Sequence, residues 1–158
     1  MNDVVFREMT EDEFANYLPP MVERYAQERA RNFRVPSEEE RKVAKKQVND
    51  LLKDGLKTEG HFLYNIVNKK TGETVGDLWF GVEVERRRAF IYNISIREDL
   101  RGKGFGKQTL RLMETTLAER NVEKIGLYVW ADNSVAQNLY RSLGYYDVGL
   151  NLQKDLHD

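Results

Sequence analysis

The sequence has no cysteine, and its only histidines are His61 and His157. The first absence excludes disulfides, a thiolate nucleophile and cysteine metal ligands, and with so few imidazoles no metal site is expected. A run of about 18 uninterrupted apolar residues is also missing, so no membrane-spanning helix is expected. Met1 to Met9 lack the charged-then-apolar order of a secretory signal, which makes the cytoplasm the expected location. The formal net charge is -1, too small to create the bulk field that draws a protein to nucleic acid or to an anionic membrane.

Apolar residues make up 41% and charged residues 32% of the 158 positions. That composition suits a soluble globular chain with one hydrophobic core, so residues 1–158 are expected to form a single domain.

Hydrophobic period divides the chain. Val4-Val5-Phe6 reads as a strand, and Thr10 with Glu13 forms the capping-box pattern that opens a helix, which Pro19-Pro20 should interrupt. Val22, Tyr25 and Ala26 recur at helical spacing, and a third helix is expected from Ser37, with Glu40 closing its box, to about Asp54. Period then changes to two. Phe62, Tyr64 and Ile66, then Val75 and Leu78-Trp79-Phe80, flank the turn at Lys69 to Gly72, and a second hairpin turns at Glu85 to Arg88 before the strand Ala89 to Ile96. A helix follows from Lys107 to Arg120 on Leu110, Met113 and Leu117, with Asn121 suited to a left-handed cap. Ile125 to Trp130 is strand-like. Asn133 or Ser134 opens a last helix packed through Val135, Leu139 and Leu143 and stopped by Gly144. Tyr145-Tyr146 and Val148 to Leu152 then read as one or two final strands.

The chemically informative stretch is Arg101-Gly102-Lys103-Gly104-Phe105-Gly106, between the strongest strand and a helix. A helix N-terminus leaves N–H groups unpaired and carries partial positive charge, and glycine lets backbone approach phosphate closely. A diphosphate suits such a place. Spacing excludes two familiar phosphate loops: only three residues separate Gly102 from Gly106 and Gln108 follows Lys107, unlike a P-loop, and the glycines run G-x-G-x-G rather than G-x-G-x-x-G.

Arg101, Gly104 and Gly106 do match the (Q/R)-x-x-G-x-(G/A) motif of the GNAT (GCN5-related N-acetyltransferase) superfamily, which this sequence resembles. Asn133-Ser134-Val135-Ala136-Gln137-Asn138-Leu139-Tyr140, ending at Gly144-Tyr145, is similar to that family's second motif. The resemblance covers roughly residues 88 to 146. It implies a mixed α/β fold: a central, mostly antiparallel twisted sheet of six to seven strands flanked by about four helices, with a splayed parallel strand pair forming the acetyl-CoA cleft. It implies transfer of acetyl from acetyl-CoA directly to a primary amine on a small molecule or a protein, without a covalent enzyme intermediate. The backbone of Ile94 and Ile96 would pair with the pantetheine arm, the N–H groups of Gly102, Lys103, Gly104, Phe105, Gly106 and Lys107 would hold the pyrophosphate with Lys103 and Lys107 adding charge, and Ser95 and Arg101 would belong to the same cofactor site. Asn133 would bind coenzyme A, cap the last helix, or both.

Tyr140 matches the family's catalytic tyrosine. With an ordinary pKa of about 10, against about 8.5 for a thiol, it stays protonated and can donate to the departing thiolate. The general base stays open. Tyr128-Val129-Trp130 has no glutamate where some relatives place one, leaving Glu83, Glu85, His61 or a water-mediated base. A noncatalytic acyl-CoA-binding or sensing module would keep the glycine loop without needing Tyr140. A nucleic-acid binder built on Arg86 to Arg88 and the basic residues of the glycine loop is opposed by the balanced charge and by the lack of a known motif. No nucleic-acid or membrane partner is expected, and a homodimer is compatible with the sequence.

Overall fold

A computed structural model describes residues 2–157. The chain divides into two compact units, one ending at Tyr128 and the other beginning at Val129.

In the first unit, β1 (Val4–Glu8) leads into α1 (Glu11–Phe33) and α2 (Ser37–Leu51). The strands β2 (His61–Asn68), β3 (Thr74–Glu83) and β4 (Arg88–Ile96) follow, then α3 (Phe105–Ala118) and β5 (Lys124–Leu127). The sheet order is β1-β2-β3-β4-β5. Every pairing is antiparallel except β4 with β5, which is parallel.

α1 begins as the sequence indicates. The Thr10 hydroxyl accepts from the Glu13 N–H at 3.1 Å, and the Glu13 carboxylate accepts from the Thr10 N–H at 3.0 Å. Arg7 binds the same carboxylate through both terminal nitrogens, which together with the Thr10 backbone holds Glu13 down to about 2. Thr10→Ala removes one of these caps and is expected to cost about 1 kcal/mol, read as a lower denaturant midpoint at unchanged slope. An unchanged midpoint would show that the cap contributes nothing.

Pro19 and Pro20 do not interrupt α1, which runs unbroken for 23 residues. The carbonyls they leave without donors, those of Ala15 and Asn16, belong to exposed residues that water can serve. On the opposite side Phe14 and Met21 are buried in one cluster with Val48 of α2, Leu52 just after it, Leu63 and Trp79, and Tyr17 and Leu18 pack against it. Burial of that stripe holds the helix through its weakest turn. The expected Ser37–Glu40 box is also absent: Pro36 is the N-cap without a side-chain bond, and Glu40 instead receives Arg29 of α1.

Alternation places Leu63, Asp77, Trp79 and Asn93 on the sheet face covered by α1 and α2. α3 packs on the strands through Leu110, Met113 and Leu117, which are at most 1% exposed. Truncating such a side chain to alanine typically costs about 2–5 kcal/mol.

The second unit holds α4 (Ser134–Ser142). Among the described residues the protein therefore has four helices and five strands, not the six to seven expected. Tyr146, Val148, Leu150 and Leu152 do alternate, but they are 72% to 91% exposed and form no strand. Alternation selects a face, whereas a strand also needs a neighbour for its N–H and C=O groups. β5 likewise stops at Leu127, short of Trp130. In α4 the buried residue is Tyr140, and Val135, expected to pack, is 79% exposed at the helix start. No helix among the described residues is long and apolar enough to cross a membrane.

Candidate active site

Two irregularities of β4 build the site. Between Trp79 and Phe80 the register of β3 jumps from Asn93 to Ile91, so Tyr92 is an extra, unpaired residue. On the opposite edge, β5 pairs with β4 only over Arg88 to Ile91, while β4 continues to Ile96. From Tyr92 on, that edge has no strand partner among the described residues of the first unit.

The N–H of Arg97 donates to the Val75 carbonyl at 2.8 Å. Peptide groups alternate along a strand, so Ser95 and Asn93, opposite Asp77 and Trp79, also face β3, and Ile94 and Ile96 face the open edge. Ile94 and Ile96, the residues expected to pair with a pantetheine arm, thus present their backbone there, and the peptide groups of Ser95 face β3. The Ile96 carbonyl is already taken by Arg101 Nε at 3.0 Å, which ties the loop to the end of β4.

After a short turn at Glu98–Leu100 the chain reaches the glycine loop. Gly102 and Gly104 have φ of 78° and 88°, values that favour glycine. A Cβ at Gly102 would meet nothing within 4 Å, and one at Gly104 only Gln108 Nε2 at 3.8 Å. Glycine is therefore needed here for backbone direction, and the space in front is open. The first α3 bond runs from Gln108 N–H to the Gly104 carbonyl at 3.0 Å, so the N–H groups of Phe105, Gly106 and Lys107 precede the helical ladder. Gly104, the N-cap, offers no side chain to satisfy them. Lys103 and Lys107 are exposed on either side. Unpaired donors, open space and positive charge fit a phosphate group.

A polar network lies on the α1 face beside the bulge. Asn93 Nδ2 donates to the Tyr17 hydroxyl at 2.8 Å and to Asp77 Oδ1 at 3.0 Å, and Arg24 Nη2 donates to Asn93 Oδ1 at 3.1 Å. Burial pushes the Asp77 carboxyl up to about 6, against the pull of Arg24 and Asn93. Burial and the Asp77 charge raise Tyr17. Asn65, directly opposite Asp77 in β2, has the one buried side-chain polar atom without a hydrogen-bond partner among the described residues, Nδ2. None of these residues was singled out from the sequence. The available signal was a carboxylate at Asp77 inside a strand flanked by Val75, Gly76, Leu78 and Trp79, but its partners on α1 and β4 are invisible to local pattern.

The sequence candidates for a base fare differently. His61 Nδ1 accepts from Trp79 Nε1–H at 3.0 Å, and its ring stacks on Tyr92 at 5.4 Å. That bond occupies the lone pair of the neutral ring and puts its proton on Nε2, so His61 packs and orients rather than accepting a proton. Glu83 is exposed and pairs with Arg86 at 3.4 Å, as a hairpin surface charge does. A groove of about 370 Å³ lies on this side of the sheet, lined by His61, Gly81, Glu83, Phe90 and Tyr92 among others.

In the second unit Asn133 Oδ1 accepts from the Ala136 N–H at 3.1 Å and caps α4, leaving its Nδ2 uncommitted to the cap. Burial pushes the Tyr140 hydroxyl up to about 12, and its ring meets Tyr145 edge-on at 5.5 Å. No cluster of three or more His, Asp or Glu able to hold a metal occurs among the described residues.

Comparison with known proteins places these features in a family. Residues 11–145 match the model of the Acetyltransferase (GNAT) family. The chain is 31% identical over 156 residues to the uncharacterized N-acetyltransferase YycN of Bacillus subtilis strain 168, covering 97% of this chain and 99% of that one. The crystal structure of YycN superposes with a TM-score of 0.92 at 30% identity, over 98% of this chain and 99% of that one. Mycothiol acetyltransferase of Streptomyces coelicolor is 37% identical over 82 residues, 49% of this chain and 25% of its own length. The family match spans most of the sequence and includes both motifs, and a full-length relative agrees with it in sequence and in structure: the chain belongs to the GNAT acetyltransferase family.

Proposed function

We propose that this protein moves the acetyl group of acetyl-CoA directly to a primary amine. One observation carries the reading: at Ile94 and Ile96 β4 has an edge without a strand partner among the described residues of the first unit, and that edge leads straight into the open, donor-rich glycine loop at the start of α3. Residues 1–158 then act as one acetyltransferase domain, since the family match crosses both units.

The Ile94 peptide group and the Ile96 N–H pair with the pantetheine arm as a neighbouring strand would. The N–H groups from Gly102 to Lys107 hold the pyrophosphate, with Lys103 and Lys107 adding charge, Arg101 fixing the loop, and Asn133 Nδ2 contributing a donor. Acetyl-CoA supplies the acetyl group as an activated thioester. Tyr140 provides the proton for the departing sulfur, a role supported by its place in the second motif and by the burial that keeps it protonated. A noncatalytic acyl-CoA sensor is less well supported, because the full-length relatives carry the name N-acetyltransferase.

Calorimetric titration tests the reading. Wild type should bind acetyl-CoA and CoA, and Gly104→Val should weaken both by about 10-fold or more. A β-branched residue cannot hold φ of 88°, and losing one charge-assisted bond costs about 1.5–3 kcal/mol. If wild type binds neither ligand, the reading is wrong.

A further inference from the structure

We propose that Asp77 is the proton acceptor for the attacking primary amine, held in place by Asn93. The inference rests on the acetyl-CoA reading above.

Position is the first support. With the pyrophosphate at the glycine loop, an arm along β4 runs from Ile96 back toward Tyr92, four residues or about 13 Å. Its reactive end therefore reaches the bulge, and the next residue is Asn93, whose side chain holds Asp77 at 3.0 Å. The second support is chemistry. Among the groups reaching this face, Asn93, Asn65, Ser95 and the Tyr17 hydroxyl are neutral, and Arg24 is cationic but binds Asn93 rather than forming an ion pair with Asp77. Asp77 is the only carboxylate in the network, and Arg24 pulls on it through space without forming an ion pair with it. Third, Asn65 Nδ2 stands opposite Asp77 with no partner among the described residues, so the network has a donor that its own residues do not use.

The step balances without any further reactant. As the nitrogen–carbon bond forms, nitrogen becomes strongly acidic and its proton passes to an Asp77 carboxylate oxygen. The carbon–sulfur bond breaks, its electron pair leaves on sulfur, and sulfur takes the Tyr140 proton. Asp77 returns its proton to solvent, and Tyr140 regains one from it. The raised carboxyl fits this work: it is ionised at neutral pH, yet basic enough to accept.

The test measures acetylation of putrescine, glycinamide and benzylamine by wild type, Asp77→Asn and Asp77→Glu, from about pH 5 to pH 9. In wild type kcat/KM should rise with pH through an acid limb near 6, because only ionised Asp77 can accept. Asp77→Asn keeps the acceptor oxygen for Asn93. It should bind acetyl-CoA as wild type does, lose about 100-fold or more in kcat, and lose the acid limb. Asp77→Glu should restore part of the rate and shift the limb.

A purely structural Asp77 would leave the limb in place in Asp77→Asn, and that result overturns the proposal. So does wild type that binds acetyl-CoA but acetylates none of the three amines, while the cofactor reading stands. Failure to bind acetyl-CoA would instead bring down the reading itself. If Asp77→Asn does not fold, the decision passes to Asp77→Glu, whose unshifted limb overturns the assignment.

Discussion

Tyr140→Phe is expected to bind acetyl-CoA as tightly as wild type and to turn over about 100- to 10,000-fold more slowly, the usual contribution of a positioned general acid. The substitution deletes one oxygen. The ring that meets Tyr145 at 5.5 Å is kept, so the helix that carries it should not move. The hydroxyl, pushed up to about 12, is protonated throughout the working range, so the loss should be independent of pH across neutrality. Steady-state kinetics with separate saturation of each substrate checks this. A fall in kcat with unchanged KM for acetyl-CoA supports the acid role, and an unchanged kcat removes it.

Gly76→Ala should be among the most destabilising single-methyl additions in the chain. The new Cβ would lie 2.1 Å from the Ser95 carbonyl oxygen and 3.1 Å from Ile96 Cα, both backbone atoms that cannot swing aside. β3 and β4 must separate where Gly76 pairs with Ile96. Overpacking of this kind typically costs about 1–3 kcal/mol, and backbone-to-backbone contact puts it at the upper end. A loss of about 3 kcal/mol corresponds to a fall of about 10 °C in Tm for a protein of this size. The same shift moves the opposite edge of β4, so affinity for acetyl-CoA should fall with stability. A variant with wild-type Tm would mean that the strands yield easily here, and that the geometry of Ile94 and Ile96 is less demanding than proposed.

These two substitutions fall on different sides of what a linear reading can reach. Tyr140 stands in a motif of contiguous spacing, so its candidacy was visible before any fold. Gly76 was not, because nothing in Thr74-Val75-Gly76-Asp77 says that a neighbouring backbone, some twenty positions away in sequence, will lie against it. The same limit explains the misread helix. Two adjacent prolines are a strong local stop, yet α1 continues because Phe14 and Met21, one on each side of them, are buried in one cluster with Leu63 and Trp79. Local cost was legible and the tertiary gain was not. Conversely, Tyr146 to Leu152 have the alternation of a strand and no strand partner, since pattern specifies which side chains share a face but supplies no hydrogen-bonding edge.

By itself the sequence determined the resemblance to the family, the glycine loop at a strand-to-helix junction, and the candidate acid. All of these rest on residues close together in the chain, where spacing and backbone preference act directly. Only the tertiary structure decided which peptide groups of β4 face an open edge, that His61 has its lone pair filled by Trp79, and that Asn93 joins Asp77, Tyr17 and Arg24 in one network. Register and desolvation create those properties, and both arise only when segments far apart in sequence pack against one another.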